Sequence, residues 1–216
     1  MPENYNLLME QTIAALPEGA RPTLLLHSCC GPCSSAVLER LLPHFAVTLF
    51  YYNPNIHPYE EYAKRLETQK KLAASLPGFP PTPVLEGPYD PDRWYDTIRG
   101  LEAEPEGGGR CAVCFLMRLT ATAEAARAGG FDWFATTLSV SPHKNALLLN
   151  ELGEAAAASV PGARYLPADF KKRDGYLRSI RLARELDLYR QDYCGCEYSM
   201  RTPLPPSDEG GVTAAP

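Results

Sequence analysis

The chain has 216 residues, of which 45% are hydrophobic, enough to bury a sizeable core and suited to one domain or one domain with an appendage. Its net charge of −5 argues against indiscriminate nucleic-acid binding, while leaving room for a local basic patch. The start Met1-Pro2-Glu3-Asn4 lacks the basic and apolar regions of a secretory leader, and no apolar run approaches membrane-spanning length, so a soluble, cytoplasmic protein with no membrane partner is expected.

Tyr5, Leu8, Met9 and Ile13 predict a leading helix, and Leu24-Leu25-Leu26 a buried first strand. That strand runs into His27-Ser28-Cys29-Cys30-Gly31-Pro32-Cys33, after which Ser34 or Ser35 is expected to cap a helix through Val37, Leu38, Leu41 and Leu42. Val47 to Tyr52 is β-rich and predicts a second strand, closed by Asn53-Pro54-Asn55. Tyr59 to Leu76 is helical, with Glu61 and Arg65 as an i,i+4 pair. The prolines between Pro77 and Pro83 break it, and Val84-Leu85 is a short strand. A short helix over Asp90 to Leu101 holds Trp94 and Ile98. After the loop Glu104 to Gly109, Arg110-Cys111-Ala112-Val113-Cys114 opens a strong helix that stops at Gly129-Gly130. Phe131 to Leu138 is a strand, Asn145 to Ala158 a helix, Arg164 to Leu166 a last strand and Gly175 to Leu188 a final helix. Strands alternating with helices predict the α/β class, with a mostly parallel sheet and helices on both faces. Residues 1–201 are expected to form the domain and 202–216, rich in Pro, Gly and small residues, a disordered tail. There is no internal repeat, no Walker-type loop and no G-x-G-x-x-G.

Seven cysteines, an odd number, fall into three groups: Cys29, Cys30 and Cys33; Cys111 and Cys114; Cys194 and Cys196. Clustered cysteines in a chain without an export signal more often bind metal or do redox chemistry than form structural disulfides. Three readings follow from the residues. A structural zinc site would use the two C-x-x-C pairs, although zinc ribbons bring their pairs closer in sequence. A thioredoxin-like site would use Cys30-Gly31-Pro32-Cys33, at the cost of leaving the other thiols unexplained. An iron–sulfur site would draw thiolates from the first two groups, on the turn after a strand where α/β sheets bind ligands. Cys194-Gly195-Cys196 can close only a small strained disulfide ring, of the easily reduced kind that tends to be catalytic, or else supply two more metal ligands.

The chain closely resembles the QueH family of epoxyqueuosine reductases. The resemblance is carried by Leu26-His27-Ser28-Cys29-Cys30-Gly31-Pro32-Cys33, Tyr52-Asn53-Pro54-Asn55-Ile56, Cys111-Ala112-Val113-Cys114 and the run Thr136 to Asn145. Asp169-Phe170-Lys171-Lys172-Arg173-Asp174-Gly175-Tyr176 and Tyr189 to Cys196 complete it, so that it spans about Thr23 to Tyr198. It implies reduction of epoxyqueuosine to queuosine in tRNA, the last step of queuosine biosynthesis, without cobalamin. It further implies a Rossmann-like sheet of the HUP type, a [4Fe-4S] cluster on Cys29, Cys30, Cys111 and Cys114, and a redox-active disulfide between Cys194 and Cys196. An external electron donor is implied as well. Cys33 is not assigned to the cluster.

Removing an epoxide oxygen to leave an alkene takes two electrons and two protons, and the oxygen must meet a Lewis acid or a proton donor. Cys33, Asp169 and Asp192 are candidates for a second metal, an iron or another ion, or for acid catalysis. For each aspartate, a cap or surface ion pair is an equal expectation. Between Lys171 and Arg190, Lys171, Lys172, Arg173, Arg178, Arg181, Arg184 and Arg190 outnumber Asp174, Glu185 and Asp187, and Tyr176, Tyr189 and Tyr193 lie among them. Cations for phosphates and rings for splayed bases suit a single-stranded tRNA loop, and a solvated helix face is the alternative. Ser139 to Asn145 is a polar loop that can hold a phosphate or ribose, or simply cap the next helix; His27 can tune or ligate, or be a structural hydrogen-bonding residue.

Overall fold

A computed structural model describes residues 3–200. In chain order the elements are α1 (Tyr5–Ala14), β1 (Thr23–His27), α2 (Gly31–Leu41), β2 (Ala46–Tyr51), α3 (Tyr59–Ser75), β3 (Val84–Glu86), α4 (Pro91–Ile98), α5 (Gly109–Ala128), β4 (Trp133–Thr136), α6 (Ala146–Ser159) and α7 (Gly175–Glu185). The four strands form one parallel sheet in the order β3-β2-β1-β4. The predicted α/β class with a parallel sheet is therefore what the chain adopts. The tail 202–216 lies outside the described residues, and among those described no helix is long and apolar enough to cross a membrane.

β1 is buried on both sides, which is why Leu24, Leu25 and Leu26 run without alternation. Leu24 and Leu26 pack with Val37, Leu38 and Leu41 of α2, Leu72 of α3 and Ala183 of α7. Leu25, on the opposite face, packs with Leu119 and Ala123 of α5 and Ala156 of α6. Helices therefore cover both faces.

Three departures from expectation bear on the site. α2 begins at Gly31, not at a serine cap: Cys30 is the extended capping residue and Pro32 sits in the first turn, where its fixed φ is helical and its missing N–H is not needed. Ser34 and Ser35 instead turn their hydroxyls back to the carbonyls of Cys30 and Pro32. β4 is shorter than the predicted Phe131–Leu138, because Thr136 Oγ1 accepts from Leu138 N and tightens residues 137–140 into a 3₁₀ turn. The expected strand at Arg164–Leu166 is reduced to a parallel bridge of Tyr165 to Phe134. That bridge continues the sheet beyond β4, and the strand order reverses between β1 and β4. The carboxyl ends of these two strands form a topological switch point, and both the cysteine loop and the 137–140 turn leave from it.

Candidate metal centre and its pocket

The loop from Ser28 to Cys33 is held from behind by a buried polar network. Ser28 Oγ meets Ser34 Oγ at 2.7 Å, and both hydroxyls reach Gln69 Oε1 on α3. Asn53 Nδ2 donates to Ser28 O at 2.8 Å, and Arg118 Nη2 on α5 donates to Asn53 Oδ1 at 2.7 Å. At Gly31 a side chain would collide with α3: a Cβ would lie 2.9 Å from both Thr68 Cγ2 and Thr68 O. Glycine lets the start of α2 sit against α3, which draws the adjacent thiols of Cys29 and Cys30 into one site.

The sulfurs of Cys29, Cys30 and Cys33 all lie within 4.8 Å of one another, with Cys29 and Cys30 3.8 Å apart. Cys111, in the first turn of α5, packs in the same buried group with Phe115, Leu138 and Leu149 and takes a hydrogen bond from Gly107 N. Cys114 faces a different neighbourhood, packed with Trp94, Ile98 and Cys196. Cys33, not assigned to the cluster from sequence, thus lies with Cys29 and Cys30 in one group of sulfurs. The predicted ligand Cys114 packs beside Cys196 of the third thiol pair.

Charge in this region is sulfur against nitrogen. Hydrogen bonds from Cys30 and Cys33 hold the Cys29 thiol well below its ordinary pKa, helped by Lys144 and Arg118. Its partners move the other way: the bond to Cys29 pushes Cys30 up to about 12 and raises Cys33 as well. Burial pushes Cys114 up to about 11 and raises Cys111 and Cys196. Burial opposes the charge of Lys144, yet electrostatic attraction to the neighbouring cysteine sulfurs outweighs it and holds the ammonium above the ordinary lysine value. Such a sulfur-rich, buried donor set beside two cations suits a soft metal ion or an iron–sulfur cluster, not an oxygen-seeking ion. A cluster of Cys29, Cys30 and Cys33 can hold a metal ion.

The thiols open into a pocket lined by Cys29, Cys33, Lys144, Arg190, Asp192 and Cys194, with Tyr176 and Gln191 beside them. Gln191 Nε2 donates to Cys30 Sγ at 3.0 Å. Arg190 bonds Tyr176 Oη at 3.2 Å and lies 5.5 Å from its ring centroid, a flat polar rim. Asp192 is exposed on this rim, whereas Asp169 is buried, pairs with Lys171 at 3.2 Å and does not line the pocket. Of the other basic residues singled out, Arg173 pairs with Glu10 and Arg178 with Glu39 and Glu185, while Lys172 and Arg181 are exposed. In the loop Ser139 to Asn145, Asn145 caps α6 through Leu147 N and Leu148 N, and Ser141, His143 and Lys144 line the pocket.

His27 takes the structural role. It is fully buried, with Nδ1 3.0 Å from Thr136 Oγ1 and Nε2 accepting from Arg118 Nε at 3.3 Å. Burial first, and Arg118 second, lower its pKa to about 3, so the imidazole is neutral. Sequence reasoning gave no role to Arg118, Lys144 or Gln191. Arg118 carried a signal: it follows Cys111 by seven residues and Cys114 by four, on one side of the helix.

Cys194 and Cys196 are free thiols in this structure. They differ in setting: Cys194 is half-buried and lines the pocket, and Cys196 is buried against Trp94 and Cys114.

Residues 24–202 match the family described as epoxyqueuosine reductase QueH. The chain is 42% identical over 201 residues to the epoxyqueuosine reductase QueH of Streptococcus pyogenes serotype M1, covering 92% of this chain and 78% of that one. It is 40% identical to the protein of the same name from Staphylococcus epidermidis, over 91% and 84% of the two chains. Against the Thermotoga maritima protein, also so named, identity is 34% over 82% and 90%. With the match extending from β1 through the three thiol groups, the chain belongs to the epoxyqueuosine reductase QueH family.

Proposed function

We propose that this protein is an oxidoreductase that reduces epoxyqueuosine to queuosine in tRNA, with a [4Fe-4S] cluster as its resident cofactor. The observation that carries the reading is the gathering of Cys29, Cys30 and Cys33 within 4.8 Å at the switch point of the sheet, with Cys111 packed against them. Cys29, Cys30 and Cys111 would hold the cluster, with Cys114, one turn further along α5 and packed against Trp94, as the fourth thiolate that the family resemblance implies; Cys33, which packs beside Cys29 and Cys30 and lines the pocket, would be left for a second metal ion. When bound, such a cluster supplies single electrons.

The chemistry sets what the residues must do. Both carbon–oxygen bonds of the epoxide break, a carbon–carbon double bond forms and the oxygen leaves as water, consuming two electrons and two protons. A Cys194/Cys196 dithiol passing to its disulfide releases two electrons and two protons, which balances the reaction. An external electron donor then restores the dithiol. Lys144, aimed at the thiol-lined pocket, places positive charge where the epoxide oxygen gains negative charge. Asp192, on the rim, is the carboxyl group placed to pass a proton; Asp169, paired with Lys171, is placed to anchor the loop before α7. Tyr176 and Arg190 offer a stacking surface for a base turned into the pocket, and Lys172, Arg181 and their paired neighbours Lys171, Arg173 and Arg178 face the backbone of the tRNA.

The test is purification without oxygen, followed by iron, sulfide and zinc analysis and an assay for queuosine in tRNA. The expected result is iron and sulfide in near-equal amounts with conversion of epoxyqueuosine, and loss of both in Cys29→Ser, Cys30→Ser, Cys111→Ser and Cys114→Ser. Cys194→Ser and Cys196→Ser should keep iron and tRNA affinity and lose multiple turnover. A colourless protein with one zinc and no conversion would overturn the reading.

A further inference from the structure

The segment that carries Cys194 and Cys196 has no regular secondary structure until the short turn at Glu197–Ser199, yet its backbone is fastened at several points to a single helix. Arg65 of α3 is 1% exposed. Its Nη1 donates to Cys194 O at 3.0 Å and its Nη2 to Tyr193 O at 3.3 Å, so one guanidinium holds two successive carbonyls. Its Nε donates to Glu61 Oε1 at 2.6 Å, one turn earlier on α3, and the guanidinium lies 5.0 Å from the Tyr193 ring centroid. The other oxygen of Glu61 accepts from Tyr189 Oη at 2.9 Å, and Lys64 Nζ stands 3.6 Å over the Tyr189 ring. On the far side, His57 N donates to Gly195 O at 2.8 Å, and Tyr193 Oη donates to His57 O.

Gly195 fits this reading independently. Its φ is +129°, and a Cβ there would lie 2.9 Å from Ile56 Cγ1 and 3.1 Å from Arg65 Nη1. The glycine between the two cysteines thus lets the arm press against Arg65 and turn Cys194 toward the pocket while Cys196 faces Trp94.

We propose that Glu61 and Arg65 form a clamp that positions the Cys194-Gly195-Cys196 arm against the cysteine centre, with Arg65 as the positioning residue. This rests on the reading of Cys194 and Cys196 as the redox pair of the reductase. Arginine is the residue for the task because a planar fork that stays charged can serve two carbonyls and one carboxylate at once; a lysine has a single donor nitrogen at that place. The half-buried Cys194 sulfur is the one an external thiol or electron donor can approach, and the clamp keeps Cys196 inside.

The test compares the metal-loaded wild-type protein with Arg65→Ala, Arg65→Lys and Glu61→Gln by three measurements: hydrogen exchange over residues 189–196, alkylation of Cys196 by iodoacetamide, and kcat and KM for epoxyqueuosine-containing tRNA. In Arg65→Ala, exchange and Cys196 alkylation should quicken about tenfold or more, with residues of β1 and α5 unchanged, as expected for local opening when a charged donor is removed. kcat should fall with KM held, and Arg65→Lys should recover only part of both. If Arg65→Ala does not fold, Glu61→Gln, which retains the fork, should show the same pattern more weakly. Equal acceleration across the whole chain, or a loosened arm with kcat unchanged, would overturn the positioning role. Cys194→Ser with full multiple turnover would instead remove the redox-pair reading, while exchange over 189–196 would still report on the clamp.

Discussion

Arg118 is the most informative residue to perturb, because the fold and the thiol centre both depend on it. It is 1% exposed and its partners are neutral: Asn53 Oδ1 at 2.7 Å and His27 Nε2 at 3.3 Å. Arg118→Met keeps an unbranched side chain of comparable length and removes the cation. Asn53 and His27 each lose a charged donor, worth about 1–3 kcal/mol apiece when the acceptor is left buried. Relief of the arginine's own desolvation works against this, so a net loss of about 3 kcal/mol is expected. In a chain of this size that corresponds to a fall in melting temperature of roughly 6–12 °C. The effect should exceed that of a packing change alone, because Asn53 also holds the Ser28 carbonyl at the start of the cysteine loop. Thermal unfolding checks the stability, and iron content of the anaerobic protein checks the centre. Arg118→Lys, which keeps the charge but not both bonds, should fall between the two proteins. An Arg118→Met variant melting within about 2 °C of the parent and retaining full iron would refute the view that this arginine braces the loop and balances the charge of its thiolates.

Gly31→Ala should cost about 1–3 kcal/mol by pushing α2 from α3 at Thr68 and should lower iron retention; wild-type melting and iron would show that the helices yield freely there. For tRNA binding, Lys172→Ala with Arg181→Ala should make the dependence of log affinity on log salt shallower by about 1 for each phosphate no longer neutralised. The same change in Lys171→Ala with Arg178→Ala should be smaller, since those two are engaged by Asp169 and Glu39; unchanged slopes in both pairs would favour a solvated helix face instead. Asp132 accepts from Thr23 N and Oγ1 at 2.8 Å, and these bonds lower its pKa. Its contribution is therefore present above the unfolded carboxylate value near 4 and is lost as pH falls through the lower folded value. Asp132→Asn should flatten the acid limb of the stability profile by less than about 1 kcal/mol, the group being exposed. An acid limb with unaltered slope would count against it.

What the sequence made legible and what it hid divide along a physical line. The α/β order followed from the apolar run at Leu24–Leu26 and the helical periods around it, because burial on both faces leaves a continuous signature. The start of α2 was misplaced because serines are strong caps in isolation, whereas here Pro32 set the first turn and the hydroxyls were taken by Cys30 O, Pro32 O and Gln69. The end of β4 was overrun because Thr136 bends the chain through its own side chain, which a β-rich composition conceals. In the site, thiols announce themselves by type and spacing. Their supporting residues do not: Gln69, Arg65 and Arg118 lie on helices, and only the fold tells which helix face meets which loop. Arg65 appeared as half of an i,i+4 pair with Glu61, and that bond exists, but its role came from carbonyls 128 and 129 positions away.

A chain of net charge −5 still concentrates cations around its cysteines. Its cations are not spread evenly. Arg118 lies beneath the cysteine loop, Lys144 and Arg190 line the pocket above it, and Arg65 holds the thiol arm. Each thiolate taken from water would be costly alone, and neighbouring cations lower that cost, so basic groups help to admit several sulfurs to one buried site. In the Lys171-Lys172-Arg173 stretch, Lys171 pairs with Asp169 and Arg173 with Glu10, so this basic run, the most visible in the sequence, has less free positive charge in the fold than its composition suggests.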